Sequence, residues 1–243
     1  MKGVILAGGK GTRLDPLTRV INKHLLPIGP YPMIYWPIRR LKQAGISQIL
    51  IITNREDIES FKKVLGSGEQ WGVNLFYQIQ NQKGGGIADA LACAKDFVDD
   101  KFVVLLGDNL FDENLRPMIE EFYKEDNKAK ILLKEVRDPE RYGVVSFDEN
   151  SHSIHSIVEK PINPPSKYCV TGIYLYDVDV FNVIQELEPS PRREKEITDL
   201  NNYYIKRNEL SYDVLKEWWL DAGTHESLYK ANYHYYEEIH DTE

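Results

Sequence analysis

The sequence predicts an α/β fold: a mostly parallel sheet with helices on both faces, joined to a smaller lobe built on a mixed sheet. Three short apolar runs predict the main strands, at residues 4–6 (VIL), 48–53 (QILIIT) and 102–106 (FVVLL). Runs that are apolar throughout are typical of strands buried on both faces. Because helical patterns separate these runs, we expect βαβ units and a Rossmann-like parallel arrangement.

The other elements of the first half follow in chain order from the same patterns. Helical apolar spacing predicts helices at 33–44, 58–65, 87–97 and 115–123, and a further apolar run predicts a strand at 75–79. The first of these helices ends before Gly45, a residue type that often follows a last helical turn. Ligands of such sheets bind at the carboxyl ends of the strands, so the residues after 4–6 and 102–106 are candidates for a site.

The second half is less regular and predicts the mixed or antiparallel lobe. Strands are predicted at 131–136, 144–147, 154–159 and 169–176, and helices at 178–187, 196–206 and 226–239. Prolines at 161, 164 and 165 and the segment 189–193 mark loops. No stretch has the composition of a linker. We therefore expect one domain over 1–243, divided into a first part at 1–130 and a lobe with a C-terminal helix at 131–243.

Composition excludes several classes of function. The chain has 243 residues and a net charge of −8 without a basic run, which argues against nucleic acid as a partner. Its two cysteines, Cys93 and Cys169, lie in apolar contexts that are typical of reduced thiols in the cytosol. No segment has the length of a signal peptide or a membrane span. We expect a soluble, cytoplasmic protein that does not bind membranes.

A glycine-rich turn directly follows the first strand, where residues 6–14 read LAGGKGTRL. Glycines allow a backbone to approach a ligand closely, and successive N–H groups in such a turn form a concavity that suits phosphate oxygens. Arg13 and Lys23 add two cations, so the pattern predicts a phosphate site. The spacing matches neither the P-loop nor the dinucleotide fingerprint. An ordinary tight turn is the alternative that the glycines alone leave open.

Two aspartates each stand at a predicted strand end. Asp108 comes after the strand 102–106 and Gly107, and Asp221 ends the run 218–220 (WWL). Mg²⁺ takes one or two carboxylates together with substrate phosphates, so two aspartates that face a phosphate site can share one ion. For Asp108 alone, a turn aspartate that bonds to the local backbone is an equally good interpretation.

Two weaker signals complete the candidate site. Glu159 and Lys160 stand together at a strand end, where an acid can accept bonds from sugar hydroxyls and a base can pair with a phosphate. Gln80 offers both a donor and an acceptor, which suits a pyrimidine edge, and Gly86 leaves room for a base. In isolation, a solvated Glu–Lys pair and a solvent-facing glutamine are the better interpretations.

These residues belong to an ordered set of motifs that resembles the sugar-1-phosphate nucleotidylyltransferases over nearly the whole chain. The matching segments are residues 6–14 with Pro16 and Thr18, Lys23 with 25–27, 32–35, 107–109, 138–145, 159–161, 170–172, 189–192, 196–199 and 220–225. The match is to members that use dTTP and glucose 1-phosphate, and within them to the short form, which lacks further C-terminal helices. A homo-oligomer is also implied, for which the tyrosines at 229, 233, 235 and 236 offer a surface; they equally suit packing on the chain's own core.

The resemblance implies a role for each matching residue. Leu6, Gly8, Gly9, Gly11 and Thr12 would hold the nucleotide, Arg13 and Lys23 its phosphates, and Gln80 and Gly86 the thymine ring. Asp108 and Asp221 would bind the catalytic Mg²⁺, with Asp108 also counted in the nucleotide site. Tyr142, Gly143, Glu159 and Val170 would line the glucosyl pocket, and Lys160 and Arg192 would bind its phosphate. The implied catalytic set is Arg13, Lys23, Asp108 and Asp221.

Three positions depart from the family's usual pattern. His24 stands where glutamine is usual, Arg193 replaces a usual glycine, and the loop 83–86 is one residue longer. The implied reaction is dTTP plus glucose 1-phosphate giving dTDP-glucose and pyrophosphate, the first step of dTDP-rhamnose synthesis. Two alternatives are UTP or another sugar phosphate as substrate, and a non-catalytic regulatory subunit that binds sugar nucleotides. The second should have lost Arg13, Lys23 or a metal-binding aspartate, and all of these are present.

Overall fold

A nine-stranded sheet runs through the computed structural model, which describes residues 1–80, 85–148 and 153–240. The strands are β1 (Gly3–Leu6), β2 (Pro27–Ile28), β3 (Tyr31–Pro32), β4 (Gln48–Thr53), β5 (Asn74–Ile79), β6 (Phe102–Leu106), β7 (Asn109–Phe111), β8 (Ala129–Glu135), β9 (Gly143–Phe147), β10 (Ile154–Glu159), β11 (Tyr168–Tyr176), β12 (Leu210–Val214) and β13 (Trp219–Asp221). The α-helices are α1 (Tyr35–Gln43), α2 (Ile58–Leu65), α3 (Ile87–Ala92), α4 (Arg116–Lys124), α5 (Val180–Glu186), α6 (Ile197–Ile205) and α7 (His225–His240).

The first half forms the parallel part of the sheet, as the apolar runs predict. Strand β1 lies between β4 and β6 and is parallel to both, with Leu6 opposite Ile52 on one side and Leu106 on the other. Strand β5 extends this part beyond β4, also in parallel. The carboxyl ends of β1 and β6 therefore lie side by side, which brings the glycine turn next to the segment that contains Asp108.

The strands of the second half continue the same sheet rather than forming a separate one. Strand β11 is antiparallel to β6 and pairs with β8 and β9, while β10 pairs with β9, and β12 is parallel to β8. Strand β11 can occupy this central position because most of its nine residues are buried. The α/β class is confirmed, and the mixed lobe is joined to the parallel part through the β11–β6 pairing.

Hydrophobic cores cover both faces of the sheet. In β4, Leu50 and Ile52 pack in one core while Ile49 and Ile51 pack in the other, so alternate residues of one strand serve opposite faces. Burying each such side chain contributes about 1.5–3 kcal/mol. This two-sided burial explains why β4 is apolar without alternation.

Several elements differ from the sequence prediction. The helix predicted at 87–97 ends at Ala92, and β2, β3, β7 and β12 have no counterpart among the predicted strands. Strands β2, β3 and β7 have two or three residues each, too few to show a period, and β12 (LSYDV) is mixed in polarity. These short strands matter because β7 pairs with β13.

Helix α7 packs beside the β7–β13 ribbon. Tyr235 stacks on Trp36 with ring centroids 3.7 Å apart, and His234 stacks on Trp218 at 3.8 Å. His234 Nε2 also lies 2.7 Å from Asp112 Oδ2, just beyond the end of β7. The helix thus fixes both strands of the ribbon.

Among residues 1–80, 85–148 and 153–240, no helix combines the length and the apolar character that a membrane span requires.

Candidate active site

A cleft of about 710 Å³ opens at the carboxyl ends of β1 and β6 and extends to the ends of β10 and β13. It brings together candidate residues from both halves of the chain: Leu6, Gly8, Gly9, Arg13, Lys23, Gln80, Gly86, Asp108, Tyr142, Gly143, Glu159, Lys160, Val170, Arg192 and Asp221. Gly11 and Thr12 are not in its lining. Residues that lie up to 215 positions apart in the sequence therefore share one cavity, as Leu6 and Asp221 do.

The glycine turn is closely packed at Gly8 and Gly11. A Cβ on Gly8 would collide with the amide of Gln80, which lies directly against the turn. Gly11 has a φ of +65°, which lets the chain turn behind the cleft, and its carbonyl accepts a 2.8 Å hydrogen bond from Thr18 Oγ1. Thr12 begins a single 3₁₀ turn, Thr12–Leu14, that presents Arg13 to the cleft.

Lys23 is held in place by a short capped turn. Asn22 precedes the 3₁₀ turn Lys23–Leu25, and its side-chain oxygen accepts a 3.0 Å bond from the backbone N–H of His24. Asn22 Nδ2 donates to Asp57 Oδ2 at 2.8 Å, which ties the turn to the segment after β4. Lys23 Nζ forms an ion pair with Asp108 Oδ2.

The β7–β13 pairing brings the two candidate metal ligands together. Asp221 is opposite Asn109 in this ribbon, and the carbonyl of Asp108 accepts a 2.8 Å bond from the N–H of Ala222. Asn109 supports the junction, since its Oδ1 accepts bonds from the backbone of Gly172 and from Trp219 Nε1, both at 2.9 Å. Two aspartates from distant parts of the sequence thus come together, Asp108 directly before β7 and Asp221 at the end of β13.

Electrostatics distinguish the two carboxyls. Burial acts to raise the pKa of Asp108, but the charge and hydrogen bond of Lys23 outweigh it and hold that pKa well below its usual range. Burial raises the pKa of Asp221, and the negative charge of Asp108 raises it further, against the opposing effect of Lys23 and Arg13. Arg13 lies 3.9 Å from the Asp221 carboxylate. The negative charges of the two carboxylates thus disfavour each other, an arrangement that a bound cation stabilises.

The opposite end of the cleft contains a second group of charges. Lys160 Nζ lies 3.1 Å from Glu159 Oε1, while Thr198 Oγ1 donates to the other carboxylate oxygen at 2.8 Å. Arg192 donates to both oxygens of Glu196, at 3.0 Å from Nε and 2.8 Å from a terminal nitrogen. Lys160 and Arg192 are thus each paired with a neighbouring acid. Both cations line the cleft, where they can bind a phosphate.

Gly86 is required by packing inside the protein. Its φ is +91°, and a Cβ there would collide with the backbone carbonyl of Lys195. The N–H of Lys195 donates to the carbonyl of Gly85 at 2.9 Å, so α3 begins directly against this segment. The close approach inferred from the sequence is thus one made by the chain's own backbone, and contact with a base stays a prediction.

The three departures have different structural settings. His24 is buried, its ring Nδ1 lies 2.8 Å from Asn22 Oδ1, and burial followed by the charge of Lys23 lowers its pKa to about 3. Arg193 has a φ of +62°, in the left-handed region that favours glycine. Of the loop 83–86, residues 83 and 84 lie outside the described ranges.

The site fits a divalent ion held by few protein ligands. No group of three or more His, Cys, Asp or Glu side chains arranged for a metal occurs in the described ranges. Asp108 and Asp221 supply two carboxylates, and Mg²⁺ typically takes one or two together with substrate phosphates and water. Asp221 lies opposite Asn109 in the β7–β13 ribbon, next to Asp108, and both aspartates line the same cleft, so the two carboxylates are placed for one cation.

Comparison with known proteins gives the family. A model of the nucleotidyl transferase family matches residues 2–238. The chain belongs to this family. A glucose-1-phosphate thymidylyltransferase of Neisseria meningitidis is 43% identical over 95% of this chain and 81% of its own length, and one from Xanthomonas campestris is 44% identical over 95% and 79%.

Solved structures agree with this assignment. A Bacillus anthracis protein assigned as a glucose-1-phosphate thymidylyltransferase, solved with sucrose, has a TM-score of 0.90 and 53% identity over 96% of this chain and 94% of its own. A UDP-glucose pyrophosphorylase solved with UDP-glucose has a TM-score of 0.86 at 26% identity, over 98% of each chain. The α/β fold described above is that of nucleotidyl transferases, and the chain is an enzyme of this class.

Further residues of this nucleotidyl transferase line the cleft without having been singled out from the sequence. They are Lys10, Ile87, Ala90, Leu106, Asn109, Arg141, Tyr174, Glu194, Glu196, Ile197, Thr198 and Asn201. Lys10 and Arg141 stand inside motifs already recognised, so their charge was an available signal. Glu196, Ile197 and Thr198 also stand inside a recognised motif. Ile87 and Ala90 of α3 and Asn201 of α6 carried no signal, because their position depends on how these helices approach the sheet.

Proposed function

We propose that the chain catalyses Mg²⁺-dependent transfer of a thymidylyl group from dTTP to glucose 1-phosphate, giving dTDP-glucose and pyrophosphate. The observation that carries the proposal is the distribution of charge in one cleft. Arg13, Lys23 and the Asp108–Asp221 pair lie at one end, and Glu159, Lys160 and Arg192 lie at the other. Such an arrangement suits two phosphate substrates that must meet between the two ends.

The proposed chemistry depends on charge rather than on a base. The attacking group is a phosphate oxygen of the sugar phosphate, which is already ionised near neutral pH, so no residue has to remove its proton. Two unit charges 4 Å apart repel by about 4 kcal/mol at an effective dielectric of 20, and each phosphate carries more than one charge. Arg13 and Lys23 would bind the nucleotide's phosphates, and Lys160 and Arg192 the sugar phosphate, which offsets this repulsion and aligns the displacement at the α-phosphorus.

Asp108 and Asp221 would hold the metal ion in this proposal. When bound, Mg²⁺ neutralises charge on the phosphates and on the leaving pyrophosphate. Lys23 pairs with Asp108 in this structure. The ammonium of Lys23 would therefore move to a phosphate oxygen when the Asp108 carboxylate binds the ion. The same lysine thus keeps a partner in both states.

The base and the sugar would be recognised at opposite ends of the cleft. Gln80, packed against Gly8, would read the pyrimidine edge, and Glu159, oriented by Thr198, would accept bonds from sugar hydroxyls. The thymidylyltransferase relatives support dTTP and glucose 1-phosphate in particular. By the same resemblance, we propose a place at the start of dTDP-rhamnose synthesis in the cytoplasm.

The decisive experiment measures pyrophosphate release with Mg²⁺, glucose 1-phosphate and each nucleoside triphosphate in turn. We expect the fastest turnover with dTTP and loss of turnover when Mg²⁺ is chelated. The Arg13→Ala variant should keep its fold and lose turnover by about a hundredfold or more, as for other groups that stabilise a transition-state charge. Absence of pyrophosphate release with every triphosphate would refute the proposal.

UTP is the alternative nucleotide, favoured by the structural likeness to UDP-glucose pyrophosphorylase. The two bases differ by one methyl group, which a pocket discriminates by only about 1–3 kcal/mol. The ratio of kcat/KM for dTTP and UTP decides between them. A ratio below one would assign the chain to uridylyl transfer.

A homo-oligomer is also part of the proposal. Tyr229, Tyr233 and Tyr236 are exposed along one side of α7, whereas Tyr235 is buried against Trp36. The three exposed rings would lie in a contact between copies of the chain. Light scattering after gel filtration tests this, with a mass near 28.2 kDa as the result that would exclude it.

A further inference from the structure

Asn201 is a buried polar residue of α6 whose bonding is incomplete. Its side chain is 1% exposed, and its Oδ1 accepts a 2.7 Å hydrogen bond from the hydroxyl of Tyr176. Its Nδ2 has no hydrogen-bond partner among the described residues. Buried amide donors rarely stay unpaired in folded proteins, so this N–H group calls for a partner that the described residues do not supply.

Asn201 lies in the wall of the candidate active site. Helix α6 lines the cleft with Ile197, Thr198 and Asn201, which share one face of the helix because they are spaced by one and four residues. Thr198 uses its hydroxyl to hold Glu159 at 2.8 Å. Asn201 is the next polar residue along the same face, so its amide belongs to the end of the cleft assigned to the sugar.

Two neighbours on α6 show what distinguishes Asn201. Asn202 uses both ends of its amide on Ile157 of β10, with bonds of 2.9 and 2.8 Å, and therefore fastens the helix to the sheet. The hydroxyl of Tyr204 is also buried without a partner in the described part of the chain, but Tyr204 does not line the cleft. Asn201 alone of the three combines an unpaired donor with a place in the cleft wall.

We propose that Asn201 is a specificity-determining residue for the sugar: its Nδ2 donates a hydrogen bond to a hydroxyl oxygen of the glucosyl ring. Tyr176 acts as a positioning residue, because its bond to Oδ1 fixes which end of the amide remains for the ligand. This inference rests on the proposed function, since it assumes that a sugar occupies this end. A site built to bond a hydroxyl rejects an analogue that lacks it, because the buried donor is then left unpaired.

The test combines a variant with substrate analogues. Asn201→Leu keeps the size of the side chain and removes the donor. We expect its KM for glucose 1-phosphate to rise 10- to 100-fold while its KM for dTTP stays within about twofold. The second set of substrates is the 2-, 3-, 4- and 6-deoxy analogues of glucose 1-phosphate. The KM of wild type should rise by a similar factor with one of these analogues, and the KM of Asn201→Leu should not rise further with that analogue. Equal losses of both proteins with all four analogues, or an unchanged KM for glucose 1-phosphate, would overturn the inference.

Matched controls separate recognition from folding. Tyr204→Phe removes the other unpaired hydroxyl of α6 and should leave both KM values unchanged. Tyr176→Phe keeps the ring and frees the amide of Asn201, so discrimination against the same analogue should fall severalfold. If Asn201→Leu does not fold, Tyr176→Phe replaces it in the test. Unchanged discrimination by Tyr176→Phe against the deoxy analogue would then contradict the inference.

Calorimetry keeps this inference distinct from the proposed function. Asn201→Leu should bind dTTP as wild type does and bind dTDP-glucose 10- to 100-fold more weakly. If wild type turns over but the variant binds dTDP-glucose equally well, only the role of Asn201 fails. If wild type neither turns over nor binds dTDP-glucose, the proposed function fails and takes this inference with it.

Discussion

The two ends of the cleft hold their charges in different ways. At the end near the glycine turn, the side chains of Lys23 and Asp108 are only 13% and 10% exposed and pair with each other. At the opposite end, Lys160 and Arg192 are 53% and 49% exposed. The first pair is built on strand ends and a capped turn, the second on loop residues. The comparison indicates that the end near the glycine turn is preorganised. In the proposed function this end would bind the nucleotide, and the more exposed cations of the other end, called the sugar end below, would be fixed by the sugar phosphate.

The largest effect should follow from removing a charge at the preorganised end. Asp108→Asn removes one proposed metal ligand and leaves the buried Lys23 without its carboxylate. We expect kcat to fall by about a thousandfold, roughly 4 kcal/mol in activation free energy, and to recover little at high Mg²⁺. Asp112→Asn is the matched control, because Asp112 pairs with Arg40 and His234 beyond the other end of β7. A kcat for Asp108→Asn near that of the control would remove Asp108 from the mechanism.

At the sugar end, a charge change should act on one substrate. Lys160→Ala should raise the KM for glucose 1-phosphate about tenfold and leave the KM for dTTP nearly unchanged. Because Lys160 is half exposed, the effect should shrink as salt is added. Steady-state kinetics in assay buffers with about 50 mM and about 500 mM NaCl measure how the KM for glucose 1-phosphate depends on salt in wild type and in Lys160→Ala. Equal changes in both KM values would mean that the two ends do not serve separate substrates.

Buried His24 gives the preorganised end an acid sensitivity. Its pKa is about 3 in the folded protein against 6.5 as its ordinary value, so only the unfolded chain takes up a proton between these limits. The stability that depends on the neutral ring is complete above pH 6.5 and is lost as the pH falls toward 3. At pH 5, this loss amounts to about 2 kcal/mol.

Urea unfolding of wild type and His24→Gln at pH 7 and pH 5 measures that loss. We expect the variant to gain about 2 kcal/mol relative to wild type between the two pH values. Parallel pH dependence of the two proteins would show that His24 does not control this sensitivity.

The smallest effect is expected at Arg193, beside the sugar end. An L-residue with a φ of +62° is strained, so Arg193→Gly should raise the free energy of unfolding by about 1 kcal/mol without changing kcat. Asn208→Gly is the control, because Asn208 also has a positive φ of 56° but asparagine tolerates that region. Denaturation of both variants measures the difference, and an equal or smaller gain at Arg193 would argue against strain there.

Much of the fold could be predicted because burial leaves a pattern. Strands such as β4 and β6 are buried on both faces, so they appear in the sequence as unbroken apolar runs, and their bounds were predicted as observed. Strand β7 has three residues and no period, yet its pairing with β13 is what brings Asp221 beside Asp108. The two aspartates were expected to lie close together because each stands at a strand end. The β7–β13 pairing that brings them together, however, could not be predicted from the local sequence.

The same limit applies to the site. Residues that follow strands could be proposed because parallel strands end at one edge of a sheet. Asn201 could not, since its importance depends on an unpaired amide in a helix whose approach to the cleft is set by long-range packing. Gly86 shows a different limit: the backbone of Lys195 already requires a glycine there, so the residue type alone does not test contact with a base.

The most direct test of one cleft with two ends is a crystal structure of the protein with dTDP-glucose and Mn²⁺ in place of Mg²⁺. We predict one ligand that spans the cleft, with its thymine beside Gln80, its glucosyl unit beside Glu159 and Asn201, and an anomalous peak for Mn²⁺ between Asp108 and Asp221. A sugar nucleotide bound in the reverse direction or elsewhere, or a metal ion away from both aspartates, would contradict the account.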